Sequence, residues 1–312
     1  MIRNWFSVIQ LSIVAALCAI PLTASAAGEG FTHQADVIYG RKHGVALTMD
    51  VFAPKENANG AAVIWVVSGG WFSSHDNVNP AFPAELMKRG YTVFAVVHGS
   101  QPKFTIPEIL QDMHRSVRYI RAHAADYKID PNRIGITGAS AGGHLSLMQG
   151  VAGDAGDAKA KDPIDQVSSR VQAVACFFPP TDFLNYGKPG ENAIGRGVLK
   201  DFPAPFDFTE LEKKGYAGRY VLVTDEQKIL EIGKQISPIT HVSDDDAPTL
   251  IIHGDKDYLV PIQQAEIIIE KLTAAKVPAE LVVKKDAAHG WADLGKDMTT
   301  IVDWFDKHLA KK

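Results

Sequence analysis

Apolar residues fall along this chain in two rhythms. Residues 61–67 are continuously apolar, which suits a strand buried on both faces of a parallel sheet, and they run into the turn Ser68-Gly69-Gly70-Trp71. Residues 45–52 alternate instead, Val45, Leu47, Met49 and Val51 against Ala46, Thr48 and Asp50, the pattern of an antiparallel strand with one wetter face. Further strands are predicted at 36–39, 91–97, 134–137, 171–178, 248–253 and 281–284. Helical periodicity occupies the intervals: 81–89, a helix opening at residue 106, a helix leaving Ser140, then 262–275 and 298–309. The second of these has a capping box, Thr105-Ile106-Pro107-Glu108. Its stripe of Leu110, Met113, Val117 and Ile120 faces the sheet, leaving Arg115, Arg118 and Arg121 mostly toward water. Strands alternating with helices of this length predict an α/β fold with a mostly parallel central sheet flanked by helices on both faces.

One region breaks the rhythm. Between about 183 and 238 the alternation stops, and Pro189-Gly190, Gly195, Gly197, Pro203 and Pro205 are interleaved with Phe202, Phe206 and Phe208. A structureless loop of that length is unusual inside a compact domain, so the segment is expected to carry helices of its own, one at 224–235. It reads as a cap over the catalytic edge of the sheet, with a surface insertion as the alternative.

Composition adds limits. The chain has 312 residues, 46% hydrophobic and 22% charged, with a formal net charge of -4. Its Lys and Arg residues are spread along the chain, so a nucleic-acid partner is not expected. Residues 1–26 form a separate unit: Arg3, an apolar run over 8–22 and Ala24-Ser25-Ala26 read as a cleavable secretory signal peptide. The remaining domain is 27–312, and no stable membrane insertion is expected after cleavage. An uncleaved anchor is the competing reading, and Leu17 before Cys18 argues against a lipoprotein. Cleavage leaves Cys176 alone in an apolar run, a small core residue without a disulfide partner.

The chemistry centres on Gly138-Ala139-Ser140-Ala141-Gly142, which follows an apolar strand and precedes a helix. A G-x-S-x-G sequence in that setting is a nucleophile elbow, a sharp turn that presents the serine hydroxyl at the sheet's edge. A serine hydroxyl needs a base within reach, itself oriented by a carboxylate. His289 follows the last predicted strand, and Asp257 follows the strand before it, with Asp255 and Asp286 as competitors for the acid's role. The order Ser140, Asp257, His289 is that of the α/β-hydrolase triad. The amide of Ala141 is one expected oxyanion donor. His98 ends a strand and could approach the site, whereas His144 reads as a buried hydrogen-bonding residue. No metal set is apparent in the spacing of the histidines and cysteines, and no cofactor is expected.

The turn at Ser68, the elbow, the His253-Gly-x-x-Asp257-x-x-Val-Pro stretch and the terminal His289-Gly-Trp resemble the α/β-hydrolase superfamily, close to its carboxylesterase branch of acetyl esterases and kynurenine-formamidase-like enzymes. The resemblance covers nearly all of the chain after the leader. It implies Ser140 as nucleophile, His289 as general base and acid, Asp257 as its orienting partner, and the amides of Gly70 and Trp71 as further oxyanion donors. Ser68 departs from the family's usual histidine, leaving open how the turn is braced. Phe72 and His98 are candidate substrate contacts. The expected function is a secreted or periplasmic serine esterase acting on a small-molecule or polymer-linked ester. The alternatives are a carbohydrate-ester (acetyl or feruloyl) esterase, an exopeptidase of the same fold, and a non-catalytic binding protein on this scaffold. Acyl and alcohol specificity and oligomeric state are not legible.

Overall fold

The computed structural model describes residues 30–214 and 217–311; the leader assigned to residues 1–26 lies outside the described residues. The strands are β1 (Phe31–Lys42), β2 (Val45–Pro54), β3 (Ala62–Val66), β4 (Thr92–Val97), β5 (Ile134–Thr137), β6 (Ala173–Phe177), β7 (Thr209–Lys214), β8 (Ala217–Leu222), β9 (Thr249–Gly254) and β10 (Ala279–Lys284). The α-helices are α1 (Ala84–Lys88), α2 (Ile106–Ala122), α3 (Ala141–Ala152), α4 (Glu226–Gln235), α5 (Gln263–Ala274) and α6 (Met298–His308). Eight strands form one sheet in the order β1-β2-β4-β3-β5-β6-β9-β10. The β1–β2 and β2–β4 pairs are antiparallel, and every pair from β4 through β10 is parallel.

The continuous apolar runs explain the layering. Ala62, Ile64 and Val66 of β3 pack on one face with Met113 of α2, Leu145 of α3 and Leu272 of α5. Val63, Trp65 and Val67 pack on the other with Leu86 of α1 and Ile301 and Phe305 of α6. Both faces are thus dry, and each large aliphatic side chain removed from water contributes about 1.5–3 kcal/mol. Gly135 in β5 is glycine for a reason of space: a Cβ there would meet Phe305 at 2.6 Å. Cys176 is fully buried in this core, where burial pushes its thiol well above the ordinary range. Among the described residues no helix is long and apolar enough to cross a membrane.

Two expectations are corrected. Arg115, Arg118 and Arg121 of α2 do not face open water. Arg115 pairs with Asp162 and Asp165, Arg118 with Asp154, and Arg121 donates to the carbonyls of Pro131, Ser168 and Arg170. The 154–170 loop folds over that face, and long side chains cross it to reach its carbonyls. The insertion, in turn, holds more than helix. Besides α4 and the short 3₁₀ turns Gly197–Leu199 and Ala204–Phe206, it contains the antiparallel hairpin β7–β8. Residues 209–214, Thr-Glu-Leu-Glu-Lys-Lys, hold a single apolar residue and so give no strand alternation, which is why an expectation of helix passes over the hairpin.

Candidate active site

The strand β5 delivers Ser140 to the C-terminal edge of the sheet. Ser140 has φ 55 and ψ -120, a conformation that L residues rarely adopt, and α3 begins at the next residue. Close backbone approach holds the turn there. A Cβ on Gly138 would fall 2.5 Å from the backbone of Gly142, and one on Gly142 would fall 2.9 Å from the carbonyl of Val66 at the end of β3. The neighbouring strand clamps the other side, with Phe177 donating to the Gly138 carbonyl and accepting from the Ser140 amide, both at 3.0 Å.

The structure brings Ser140, His289 and Asp257 into one line. His289 Nε2 lies 2.9 Å from Ser140 Oγ, and its Nδ1 lies 2.7 Å from Asp257 Oδ2. A carboxylate only accepts, so Nδ1 carries the proton and donates it to Asp257, leaving Nε2 to accept the serine hydroxyl. Burial alone would raise the Asp257 carboxyl. Hydrogen bonds from His253, His289 and the Val260 amide outweigh burial and hold it well below the usual carboxylate range. The amides of Leu259 and Val260 fix its Oδ1 at 3.0 and 2.8 Å. Asp255 does not reach His289; it accepts from the Asp286 amide at 2.6 Å and ties the two loops together.

The second component is the turn after β3. Gly70 and Trp71 have φ 55 and 58, and the turn closes through paired bonds between Gly69 and Phe72 of 3.0 and 2.9 Å. Two central residues at positive φ make the tight hairpin turn that glycine normally favours, so Trp71 needs external support. It receives that support from its buried indole, whose Nε1–H donates to His144 Nδ1 at 3.2 Å while Phe206 and Phe183 pack on the ring. Among the described residues the amides of Gly70, Trp71 and Ala141 have no protein acceptor. Because Val66 and Ser68 lie against Gly142, the turn sits beside the elbow.

His98 is the residue whose assignment changes. It is only 3% exposed and both ring nitrogens are engaged: Nδ1–H donates to the Gly99 carbonyl at 2.8 Å, and Nε2 accepts from Ser68 Oγ at 2.8 Å. Burial pushes its pKa down to about 4, so the ring is neutral. His98 therefore braces the turn and has no free polar atom for a substrate, correcting its reading as a substrate contact. The same bond resolves the Ser68 departure: the hydroxyl at the turn is anchored by an imidazole from the next strand. Ser73 adds to the brace by donating to the Val67 carbonyl at 2.5 Å and accepting from the His98 amide. Phe72 is 46% exposed and borders a cavity of about 370 Å³ with Phe104 and Lys103.

Several contributors were not singled out by sequence reasoning, whereas His144 holds the buried hydrogen-bonding place expected of it. Phe178 lays its ring 4.5 Å from that of His289. His253, fully buried, shares its Nε2–H between the Val260 carbonyl at 2.8 Å and Asp257 Oδ2 at 3.4 Å. From the insertion, Phe202 approaches so closely that a Cβ on Gly70 would meet it at 3.0 Å. His144, neutral with its pKa pushed down to about 4 by burial, passes the Trp71 bond on by donating Nε2–H to the Ile236 carbonyl at the end of α4. The signals were the Phe run after β6 and the His-Gly-x-x-Asp spacing; nothing in the chain announces the contact across 92 residues between His144 and Ile236. Asp36, Asp50 and His75 come from separate stretches with no ligand spacing, yet their ligand atoms all lie within 4.8 Å of one another.

A parallel sheet flanked on both faces, a serine elbow after β5, and an acid and a histidine at the ends of β9 and β10 define the class of an α/β-hydrolase. Within that class the chain belongs to the BD-FAE family, whose family model matches residues 49–272. It is similar to a probable carboxylic ester hydrolase, LipM, of Mycobacterium tuberculosis, 29% identical over 246 residues that cover 78% of this chain and 52% of that protein. The esterase LipQ of the same organism is 27% identical over 250 residues, 79% and 54% of the two chains. The chain thus spans about half the length of these curated relatives. Among solved structures, a truncated form of a carbohydrate esterase from gut microbiota is 27% identical with a TM-score of 0.69, covering 90% of this chain and 98% of that one. An esterase of Thermogutta terrifontis shares the fold at 22% identity and a TM-score of 0.66, covering 89% and 92%.

Proposed function

We propose that this protein hydrolyses carboxylic esters through an acyl-enzyme formed on Ser140. The observation that carries the reading is the Ser140–His289–Asp257 line at 2.9 and 2.7 Å beside three unpaired amides. Ser140 Oγ attacks the ester carbonyl carbon while its proton passes to His289 Nε2. The carbonyl oxygen becomes an oxyanion held by the amides of Gly70, Trp71 and Ala141, each such donor worth about 3 kcal/mol in the transition state. The bond to the alkoxy oxygen then breaks and His289 protonates the departing alcohol. Water repeats the sequence: His289 takes its proton, hydroxide adds to the acyl carbon, and Ser140 leaves with the proton restored. Asp257 keeps its charge throughout and stabilises the imidazolium.

The purified protein should hydrolyse a short-chain p-nitrophenyl ester, and Ser140→Ala should lower kcat by about 10⁴-fold or more at unchanged melting temperature. Equal turnover by the alanine variant sinks the mechanism. A fluorophosphonate that fails to label Ser140 would favour the binding-protein reading.

Esters carried on carbohydrate are the second reading. The gut carbohydrate esterase, aligned over 98% of its own chain, supports it. Turnover of acetylated or feruloylated xylo-oligosaccharides at least about tenfold more efficient than of simple alkyl esters is expected. Preference for aminoacyl amides would move the assignment to an exopeptidase. The leader pattern of residues 1–26 supports export to a periplasmic or extracellular compartment, where polymer substrates occur. Fractionation of cells expressing the full chain tests it, cytoplasmic retention being the contrary result.

A further inference from the structure

Away from Ser140, three segments converge at the outer edge of the sheet. Asp50 of β2 is 1% exposed. Opposite it the pairing of β1 shifts between Gln34 and Val37, and this irregularity presents Asp36, whose own amide donates to Asp50 Oδ1 at 3.1 Å. From the short turn His75–Asn77, just beyond the Gly69–Phe72 hairpin, His75 points its Nε2 to Asp50 Oδ1 at 3.0 Å and to Asp36 Oδ1 at 3.9 Å. His33 takes the other oxygen, its Nε2 lying 2.6 Å from Asp50 Oδ2, with its ring stacked on Phe52 at 4.4 Å.

Three donors within the cluster, the Asp36 amide, His75 and His33, satisfy the Asp50 carboxylate; what they do not supply is a fixed positive charge. A buried carboxylate is costly unless it is paired, and among the described residues the ion-pair partners of Asp50 are His33 and His75, neither of them a permanent cation. Bringing Asp36 into the same space adds a second negative charge. The geometry points to a divalent cation site formed by Asp36, Asp50 and His75, with zinc as the ion it suits best. Ligands about 2.1 Å from one ion subtend roughly 90° and 140° at the two separations His75 makes, 3.0 Å to Asp50 and 3.9 Å to Asp36, angles open to a four- or five-coordinate site. One imidazole nitrogen with two carboxylate oxygens is a donor set for a first-row transition ion; calcium and magnesium favour oxygen alone. His33 would act behind the ligands, holding Asp50 Oδ2 so that Oδ1 faces the ion. The Asp36 and His75 side chains are 70% and 46% exposed, so an ion can enter and keep a water ligand. The bound ion would fasten the segment that follows the oxyanion turn to the β1–β2 pair. The proposal does not rest on the esterase reading.

The test uses full-length protein without a polyhistidine tag, stripped with chelator and titrated with ZnCl₂ by calorimetry and in thermal melts. One zinc per chain is expected, with a melting-temperature rise of about 4 °C at saturating metal and a smaller one with MgCl₂ or CaCl₂. The double variant Asp36→Asn, His75→Gln alters two accessible side chains; it should melt like the metal-free wild type and bind zinc at least about tenfold more weakly. No stoichiometric binding by the wild type overturns the site. Equal binding by the double variant does so too, since the ion would then sit elsewhere, for example on His289. Because neither readout involves turnover, an inactive protein that binds zinc leaves this inference standing, and an active one that does not leaves the esterase reading standing.

Discussion

The strands β3, β5, β6 and β9 and the insertion over 183–238 meet at the same site by different physical means. The strands position Ser140 and Asp257 through backbone contacts so close that Gly138, Gly142 and Gly254 admit no Cβ, and the Gly70–Trp71 turn closes through its own paired Gly69–Phe72 backbone bonds. The insertion reaches the turn mainly through side chains, Phe202 over Gly70 and Phe206 on Trp71, with one backbone group, the Ile236 carbonyl, acting through His144. Backbone contacts are all-or-none, whereas side-chain contacts can be trimmed by degrees. The sheet should therefore carry the chemistry and the insertion its tuning.

The largest effect is expected from the sheet side. Asp257→Asn should lower kcat by about 10⁴-fold, because an amide that donates to Nδ1 favours the wrong imidazole tautomer. The same variant exposes a pH signature. The folded Asp257 carboxyl sits below its unfolded value of about 4, so its stabilising contribution is present above that pH and is lost as pH falls through the folded pKa. Urea denaturation should show a constant gap between wild type and Asp257→Asn from about pH 5 to 8, closing below about pH 4. A gap that does not change with pH would place the stabilising bonds elsewhere.

At the seam between the two regions, His144→Ala strands the Trp71 indole N–H and the Ile236 carbonyl in the interior. A loss of about 3 kcal/mol in denaturant unfolding is expected, together with about a tenfold fall in kcat at little-changed KM as the turn loosens. If only stability falls, the insertion does not tune the oxyanion turn. Ser68→Ala, which removes the hydroxyl bonded to His98, should cost about 1 kcal/mol and lower kcat severalfold, with Ser68→Thr restoring most of both. The smallest effect belongs to Phe202→Ala, outermost of the set. It should change the ratio of kcat/KM between acetyl and longer acyl esters by less than about tenfold and leave the melting temperature within about 2 °C. A loss as large as that of His144→Ala would erase the distinction between the two regions.

Much of the fold was legible because burial on both faces writes itself as short apolar-rich runs without a polar face. Residues 61–67, 134–137 and 248–253 mark β3, β5 and β9 almost residue for residue. The insertion was less so. The β7–β8 hairpin leaves Leu211, Tyr220 and Leu222 exposed, so the pattern lacks the buried face that makes a strand evident. Within the site, Ser140, Asp257 and His289 could be picked out because each ends a strand of a parallel sheet, where chain order decides which edge it occupies. His98 could not be placed, since a histidine ending a strand looks the same whether it faces substrate or bonds to a neighbouring hydroxyl.

By itself, then, the sequence determined the parallel sheet, the elbow at Ser140 and the order of its partners, all properties of local pattern and chain direction. Only the tertiary structure decided that Asp257 and not Asp255 meets His289, that Ser68 leans on His98, and that His144 joins Trp71 to α4. It also gathered Asp36, Asp50 and His75 from segments with no common spacing. The physical reason is reach. Hydrogen-bond partners are chosen within about 3 Å, and which atoms arrive there depends on packing that links stretches far apart in the chain.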